Sequence, residues 1–313
     1  MPPRQEKELQ MQRDIDALPE LDLRDARPIG FGATSDVSLL PDGTVCKLFH
    51  PEFSPEEIDR ESRAAQIADA LGIRVPKPYG IVRSGDRIGI RSEYIAGQSL
   101  AEILSREPER REAFMPAYLH ELRRFHETEA RPGDFDSAKD LYLDKLQKLE
   151  GSRWYTADEL EKMRRLVLSV PDRNTLVYGD YHPQNILVSD GELVFVDLGD
   201  TCLGHPVFDF AMMANTHHII PKMNPAYAEK YFAVPAQLML HLWDDVFSGC
   251  FCEYSPEEQS CIRKGIMAFA TLRQGLSPAD GRVFPEQVLA ANVAAVKKRL
   301  LPEIEQITGT VTW

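Results

Sequence analysis

The sequence predicts an α+β protein of two lobes: a small antiparallel sheet carrying one main helix, then a larger and mostly helical part. Three observations lead there. Between Arg27 and Ile95, short apolar runs alternate with turn dipeptides, as in hairpins. Inside that stretch, Ser54 to Gly72 carries the punctuation of a helix. Beyond Gly97 the apolar residues recur at helical spacing. The expected division is an N-terminal arm or helix over 1–25, the strand-rich lobe over 26–95 and the helical lobe over 96–313.

The elements follow in order. The runs RPIGFGATSDVSLL and TVCKLF flank a Pro41-Asp42-Gly43 turn. In SPEEIDRESRAAQIADALG, Ser54 stands at the N-cap and Pro55 in the first turn. Glu56 and Glu57 lie near the positive end of the helix dipole, and Gly72 stops the helix. PYGIVRS and RIGIRSEYI then flank Gly85-Asp86. After the Ala96-Gly97 break, Leu100, Ile103 and Leu104, then Leu119, Leu122 and Phe125, mark helical stretches over 99–128, with another over 157–169. NTLVYGD and NILVSDGELVFVDLGD are strand runs, the second folded at Asp190-Gly191. From about Asp209 the chain is expected to be helical.

Bulk properties narrow the function classes. A net charge of −13 opposes nonspecific binding to nucleic acid or to an anionic membrane, because the long-range field has the wrong sign. No stretch reaches the roughly 18–20 apolar residues of a membrane span, and the N-terminal text lacks a signal-peptide core, so a cytoplasmic protein is expected. The five cysteines have neither framework nor zinc-ligand spacing and read as reduced thiols.

The chemistry concentrates in two places. In YGDYHPQNILV and VDLGD, Asp180 and Asn185 bracket a short loop, and Asp197 ends the second strand of the following hairpin. Phosphoryl transfer asks for a polyphosphate cradle, metal ligands and a carboxylate that orients the acceptor hydroxyl. Folding of the hairpin lets Asn185 and Asp197 face one cation, and so few hard oxygen donors suit Mg2+. Asp180 is then free to accept a hydroxyl proton. An isolated Asp or Asn beside glycine is commonly only a turn residue, so it is the ordered set that carries the reading. His182, beside Pro183, reads as a hydrogen-bond partner that orders the loop.

In the small lobe, Gly30 and Gly32 let the backbone approach phosphate, and Thr34 or Ser35 adds donors ahead of Val37. This is a hairpin and not a Walker loop, which needs Gly-Lys-Ser/Thr opening a helix. Lys47 sits among apolar residues on a strand, as a phosphate-binding lysine or as an edge-strand lysine facing water.

GDYHPQN followed by VDLGD resembles the signature of the aminoglycoside phosphotransferase and choline kinase family, a branch of the protein-kinase-like fold. SEYIAGQSL resembles its linker, GHPVFDFA resembles a later segment, and the likeness spans roughly residues 27–215. It implies a bilobal kinase-like fold with a nucleotide-binding N-lobe. Asp180 is then the catalytic base, with Asn185 and Asp197 as Mg2+ ligands. Lys47 holds the α- and β-phosphates of ATP or GTP and pairs with Glu61, while adenine binds the backbone near Glu93 and Ile95. Asp209 braces the catalytic loop. Two departures stand out: Tyr178 where His is usual and His205 where Asp is commoner.

The expected activity is transfer of the γ-phosphoryl group to a hydroxyl of a small molecule. Aminoglycosides, choline, other amino alcohols, sugars and hydroxy-amino acids all remain open. A noncatalytic nucleotide-binding module is the alternative. A protein kinase fits less well, since the loop reads Y-G-D instead of H-R-D and no A-P-E segment follows Asp197. Residues 241–260 hold five acids, no Lys or Arg, and several aromatics. They read as a cation pocket or, preferably, as solvated acids around the helix start Ser255-Pro256-Glu257-Glu258.

Overall fold

Five short strands, each ended by turn residues, form one antiparallel sheet in the order β1-β2-β3-β5-β4. They are β1 (Arg27–Phe31), β2 (Ser35–Leu39), β3 (Thr44–Phe49), β4 (Pro78–Ser84) and β5 (Arg87–Glu93). The computed structural model describes residue 15 and residues 17–32, 34–280 and 284–313. Most of the expected arm, 1–14 and 16, lies outside the described residues; Leu21 and Leu23 pack against the sheet. The chain forms two compact units, Met1–Gly97 with Leu187–Asp200, and Gln98–Ile186 with Thr201–Trp313.

Strand periodicity sorts the first unit's core. Cys46 and Leu48 join Leu40 and Val82 in one cluster, whereas Phe49 joins Ile88, Ile90 and Ile58 in another. Ile58 belongs to helix α1 (Pro55–Ala70), so α1 covers the Phe49 face. Residues two apart on a strand share a face, which puts Lys47 on the α1 side with Phe49. Glu61 lies one turn beyond Ile58 and shares its face of α1. At the start of α1, Ser54 accepts from the Glu57 N–H while Glu57 accepts from the Ser54 N–H. Glu57 therefore completes a capping box and is more than a surface acid.

The strand Ile186–Ser189 forms a hairpin with Glu192–Phe195, turned at Asp190 and Gly191 with φ of 52° and 83°. The Ser189 hydroxyl donates to the Ala96 carbonyl at 2.9 Å. At Gly97 a Cβ would come within 2.2 Å of the Val188 carbonyl oxygen. The glycine of the linker text is thus demanded by close backbone approach. Gly97→Ala should destabilise the protein by about 1–3 kcal/mol, since backbone must shift. A melt showing no loss would contradict this packing.

The second unit is mostly helical. Its helices are α2 (Leu100–Arg106), α3 (Arg111–Glu127), α4 (Ala138–Lys148), α5 (Ala157–Leu168), α6 (Val207–Met213), α7 (Ile220–Met223), α8 (Pro225–Phe232), α9 (Ala236–Phe251), α10 (Pro256–Gly275), α11 (Glu286–Ala295) and α12 (Ile304–Ile307). Two π-helical segments, Ala214–Ile219 and Val296–Leu300, continue α6 and α11. The run NTLVYGD keeps only Leu176–Val177 as strand, paired with Cys202–Leu203. Tyr118, Leu122 and Phe125 of α3 are buried, and the Tyr118 and Phe125 rings pack on Tyr181 and Tyr178. Among the described residues no helix is long and apolar enough to cross a membrane.

The acid-rich stretch is local structure. Ser255 and Glu258 form a capping box, and Asp245 pairs with Arg111 at 2.7 Å. Trp243, Phe247 and Phe251 are core residues, at most 3% exposed.

Candidate active site

In the first unit, β3, α1 and the segment after the hairpin bring three charges together. Lys47 Nζ lies 2.6 Å from Glu61 Oε1 and 3.2 Å from Asp197 Oδ1. Burial alone would lower the lysine pKa, but the charges of Asp197 and Glu61 outweigh it and hold the ammonium above its ordinary value. Burial pushes the Glu61 carboxyl up; Lys47 compensates only in part, because Asp197 and Asp200 add negative charge nearby. Asp197 has a φ of 62°, a left-handed conformation that Asp tolerates better than most residues. Its side chain is 44% exposed.

The β1–β2 hairpin holds the other expected phosphate contacts. Gly32 donates its N–H to the Ser35 carbonyl at 2.9 Å, and a Cβ on Gly32 would sit 3.3 Å from that oxygen. Gly30 pairs with Val37, which in turn pairs with Lys47 on β3. The Ser35 side chain is buried and 3.4 Å from the Thr34 hydroxyl, while Phe31 is 81% exposed. Glu93 ends β5 with its carboxylate on the Lys77 N–H and the Arg74 guanidinium. Burial would raise that carboxyl, yet those donors hold it below its ordinary value. Ile95 is buried.

In the second unit, the loop after Leu176–Val177 is built around Asp180. His182 Nε2 lies 3.2 Å and Asn185 Nδ2 2.8 Å from the same oxygen, Asp180 Oδ2. A carboxylate only accepts, so both neighbours donate and the Asn185 amide nitrogen must face Asp180. Burial works to raise the Asp180 pKa, but His182, Arg273 and Asn185 bring it below its ordinary value. The group stays ionised at neutral pH, with Oδ1 left to accept a further proton. With its amide nitrogen on Asp180, Asn185 keeps its side-chain oxygen as the acceptor atom of that amide.

Asp209 on α6 holds this loop from beneath. It is fully buried and accepts the Tyr178 N–H at 2.9 Å and the Gly179 N–H at 2.7 Å. His126 Nε2 of α3 donates to the same carboxylate at 2.9 Å. Tyr178 is itself buried, its ring against Phe125 and its hydroxyl 3.5 Å from the Asn185 carbonyl. The tyrosine at this position therefore fills the core against Phe125.

His205 stands just ahead of α6 and bonds through both ring nitrogens. Its Nδ1 accepts the Val207 N–H at 3.1 Å, and Nε2 donates to the Trp313 carbonyl at 2.6 Å. Burial, aided by the charge of Arg173, lowers its pKa to about 4. An imidazole neutral in the fold and ordinary when unfolded adds stability above pH 6.5, lost as pH falls through about 4. The melting temperature should drop across that window, and His205→Gln should flatten the drop. Identical slopes in both proteins would contradict the assignment.

The sequence had pointed to Asp180, Asn185, Asp197, Lys47 and Glu61. Asp180 and Asn185 meet in the second unit; Lys47, Glu61 and Asp197 meet in the first. His126 was not singled out, since a lone histidine on a helix 83 residues from its partner leaves no local signal.

The sequence profile of the phosphotransferase enzyme family, APH, matches residues 25–241. No curated protein matches the chain in sequence. Among solved structures, the gentamicin complex of APH(2")-IIa aligns at a TM-score of 0.57 and 15% identity, over 100% of this chain and 99% of that one. A choline/ethanolamine kinase family protein from Mesorhizobium loti aligns at 0.55 and 14%, over 91% and 92%. The amicoumacin kinase hAmiN, in complex with AMP-PNP, Ca2+ and Ami, aligns at 0.52 and 16%, over 100% and 98%. At these identities the likeness is one of fold.

Proposed function

Because this chain belongs to the phosphotransferase enzyme family, we propose that it moves the γ-phosphoryl group of ATP or GTP onto a hydroxyl of a small molecule. The observation that carries the reading is the ionised Asp180, held through Oδ2 by His182 and Asn185 with Oδ1 left over. In this mechanism Asp180 Oδ1 takes the acceptor's hydroxyl proton. The acceptor oxygen bonds to the γ-phosphorus as the bond from that phosphorus to the β–γ bridging oxygen breaks, and the nucleoside diphosphate leaves.

Mg2+ suits the chemistry of the two residues proposed to hold it, since Asn185 and Asp197 each offer a hard side-chain oxygen. When bound, the ion would screen the charge of the transferred phosphoryl group. Lys47, kept protonated, binds the α- and β-phosphates, with Glu61 fixing its direction. The β1–β2 hairpin with Gly30, Gly32, Ser35 and Val37 covers the phosphates. The backbone near Glu93 and Ile95 receives the base. Gentamicin, amicoumacin and the choline/ethanolamine kinase name belong to proteins of the same fold, so acceptors with amino groups come first for trial.

The test is nucleotide consumption with Mg2+ across amino alcohols, aminoglycosides, sugars and hydroxy-amino acids, with product masses. Addition of one phosphoryl group to an acceptor is expected. Nucleotide binding with no consumption in any pairing would favour the noncatalytic module. In the active pairing, Lys47→Met should raise the nucleotide KM about tenfold or more, the effect of losing a charge-assisted contact. An unchanged KM would remove Lys47 from the phosphate site.

A further inference from the structure

The second unit contains a cavity that the phosphotransferase reading does not use. It measures about 360 Å3, near the lower end of ligand-sized pockets, and lies between α10, α11 and the π-helical turns. One wall is a single face of α10, where Lys264, Met267, Ala268 and Thr271 recur at helical spacing. The facing wall is rich in alanine: Ala291, Ala294 and Ala295 of α11 leave space that larger side chains would fill. Ala268 and Leu300 make a floor at 5% and 2% exposure.

Both π-helical segments among the described residues line this one cavity. Ile219 ends the first, and Lys298, Arg299 and Leu300 come from the second. In the second segment the Leu301 N–H reaches back five residues to the Val296 carbonyl at 3.0 Å. That wider turn swings the basic residues after α11 onto the rim. Such turns are a recurring feature of binding sites.

The rim chemistry selects the ligand. Lys264, Lys298 and Arg299 are exposed, and among the described residues none of them is in an ion pair. The neighbouring Lys297, by contrast, pairs with Glu159 at 3.3 Å. Glu303 is the acid on the lining, so three cations face one carboxylate in a chain of net charge −13. We propose that this cavity binds a small organic anion with an apolar body. Its charge is held by Lys264, Lys298 and Arg299, and its body rests on Met267, Ala268 and Leu300.

Isothermal titration of the full chain with decanoate tests this, with decan-1-ol and decyltrimethylammonium as neutral and cationic controls. Saturable binding of one decanoate is expected, weaker binding of the alcohol, and none of the cation. Lys298→Glu with Arg299→Glu should weaken decanoate roughly tenfold, and Ala294→Trp should block it by filling the cavity from an exposed position. Circular dichroism and melting temperature establish that each variant is folded. No saturable decanoate binding, equal binding of the three probes, or undiminished binding in both folded variants would overturn the proposal. So would binding of an acidic peptide but not decanoate.

Discussion

Asp180→Asn should lower kcat by about 10²–10⁴-fold while the nucleotide KM stays within about threefold, the range of a lost general base. The substitution keeps the shape of the side chain and replaces an oxygen that accepts with an amide. Asp180 reaches its ionised state against burial, because His182 and Asn185 both donate to Oδ2. An amide in its place retains an acceptor for them but no basic oxygen for a hydroxyl proton. Steady-state kinetics with the best acceptor, alongside a binding isotherm for nucleotide, separates the two parameters. A kcat within about tenfold of the parent would remove Asp180 as the base and leave it an orienting role only.

The largest loss of stability is expected at Asp209. Asp209→Ala strands the N–H groups of Tyr178 and Gly179 and leaves His126 without its carboxylate, all in the interior. Breaking a buried, hydrogen-bonded charge in this way costs about 3–5 kcal/mol. The unit that carries it should melt roughly 10 °C lower. Calorimetry measures this directly. A fall of less than about 2 °C would mean that water or another donor replaces the carboxylate, and that the loop does not depend on this brace. Activity at low temperature should fall too, since the same N–H groups fix the backbone just ahead of Asp180.

Much of the candidate site's local geometry was legible because its signals are local. Asp190-Gly191 forces a tight turn through backbone conformation alone, and the Ser54 and Ser255 caps need only the residues three positions on. Asp180 and Asn185 lie five residues apart, so their hydrogen bond is a property of one loop. The acid-rich stretch 241–260 shows the limit of composition. Glu258 serves a cap, and Asp245 pairs with Arg111, a residue on another helix that composition cannot connect to it.

By itself the sequence determined the order of the strands and helices and the types of group available for chemistry. Turn chemistry, periodicity and short spacing act within a few residues, so the loop that sets Asn185 beside Asp180 is written locally, whereas the demand for glycine at 97 comes from Val188. Tertiary structure alone decided which groups are held charged and by what. Lys47 meets Asp197 across 150 residues, His126 meets Asp209 across 83, and His205 meets Trp313 across 108. Such contacts form only when packing brings distant backbone together, so partner and surroundings are set jointly, and no local pattern encodes them.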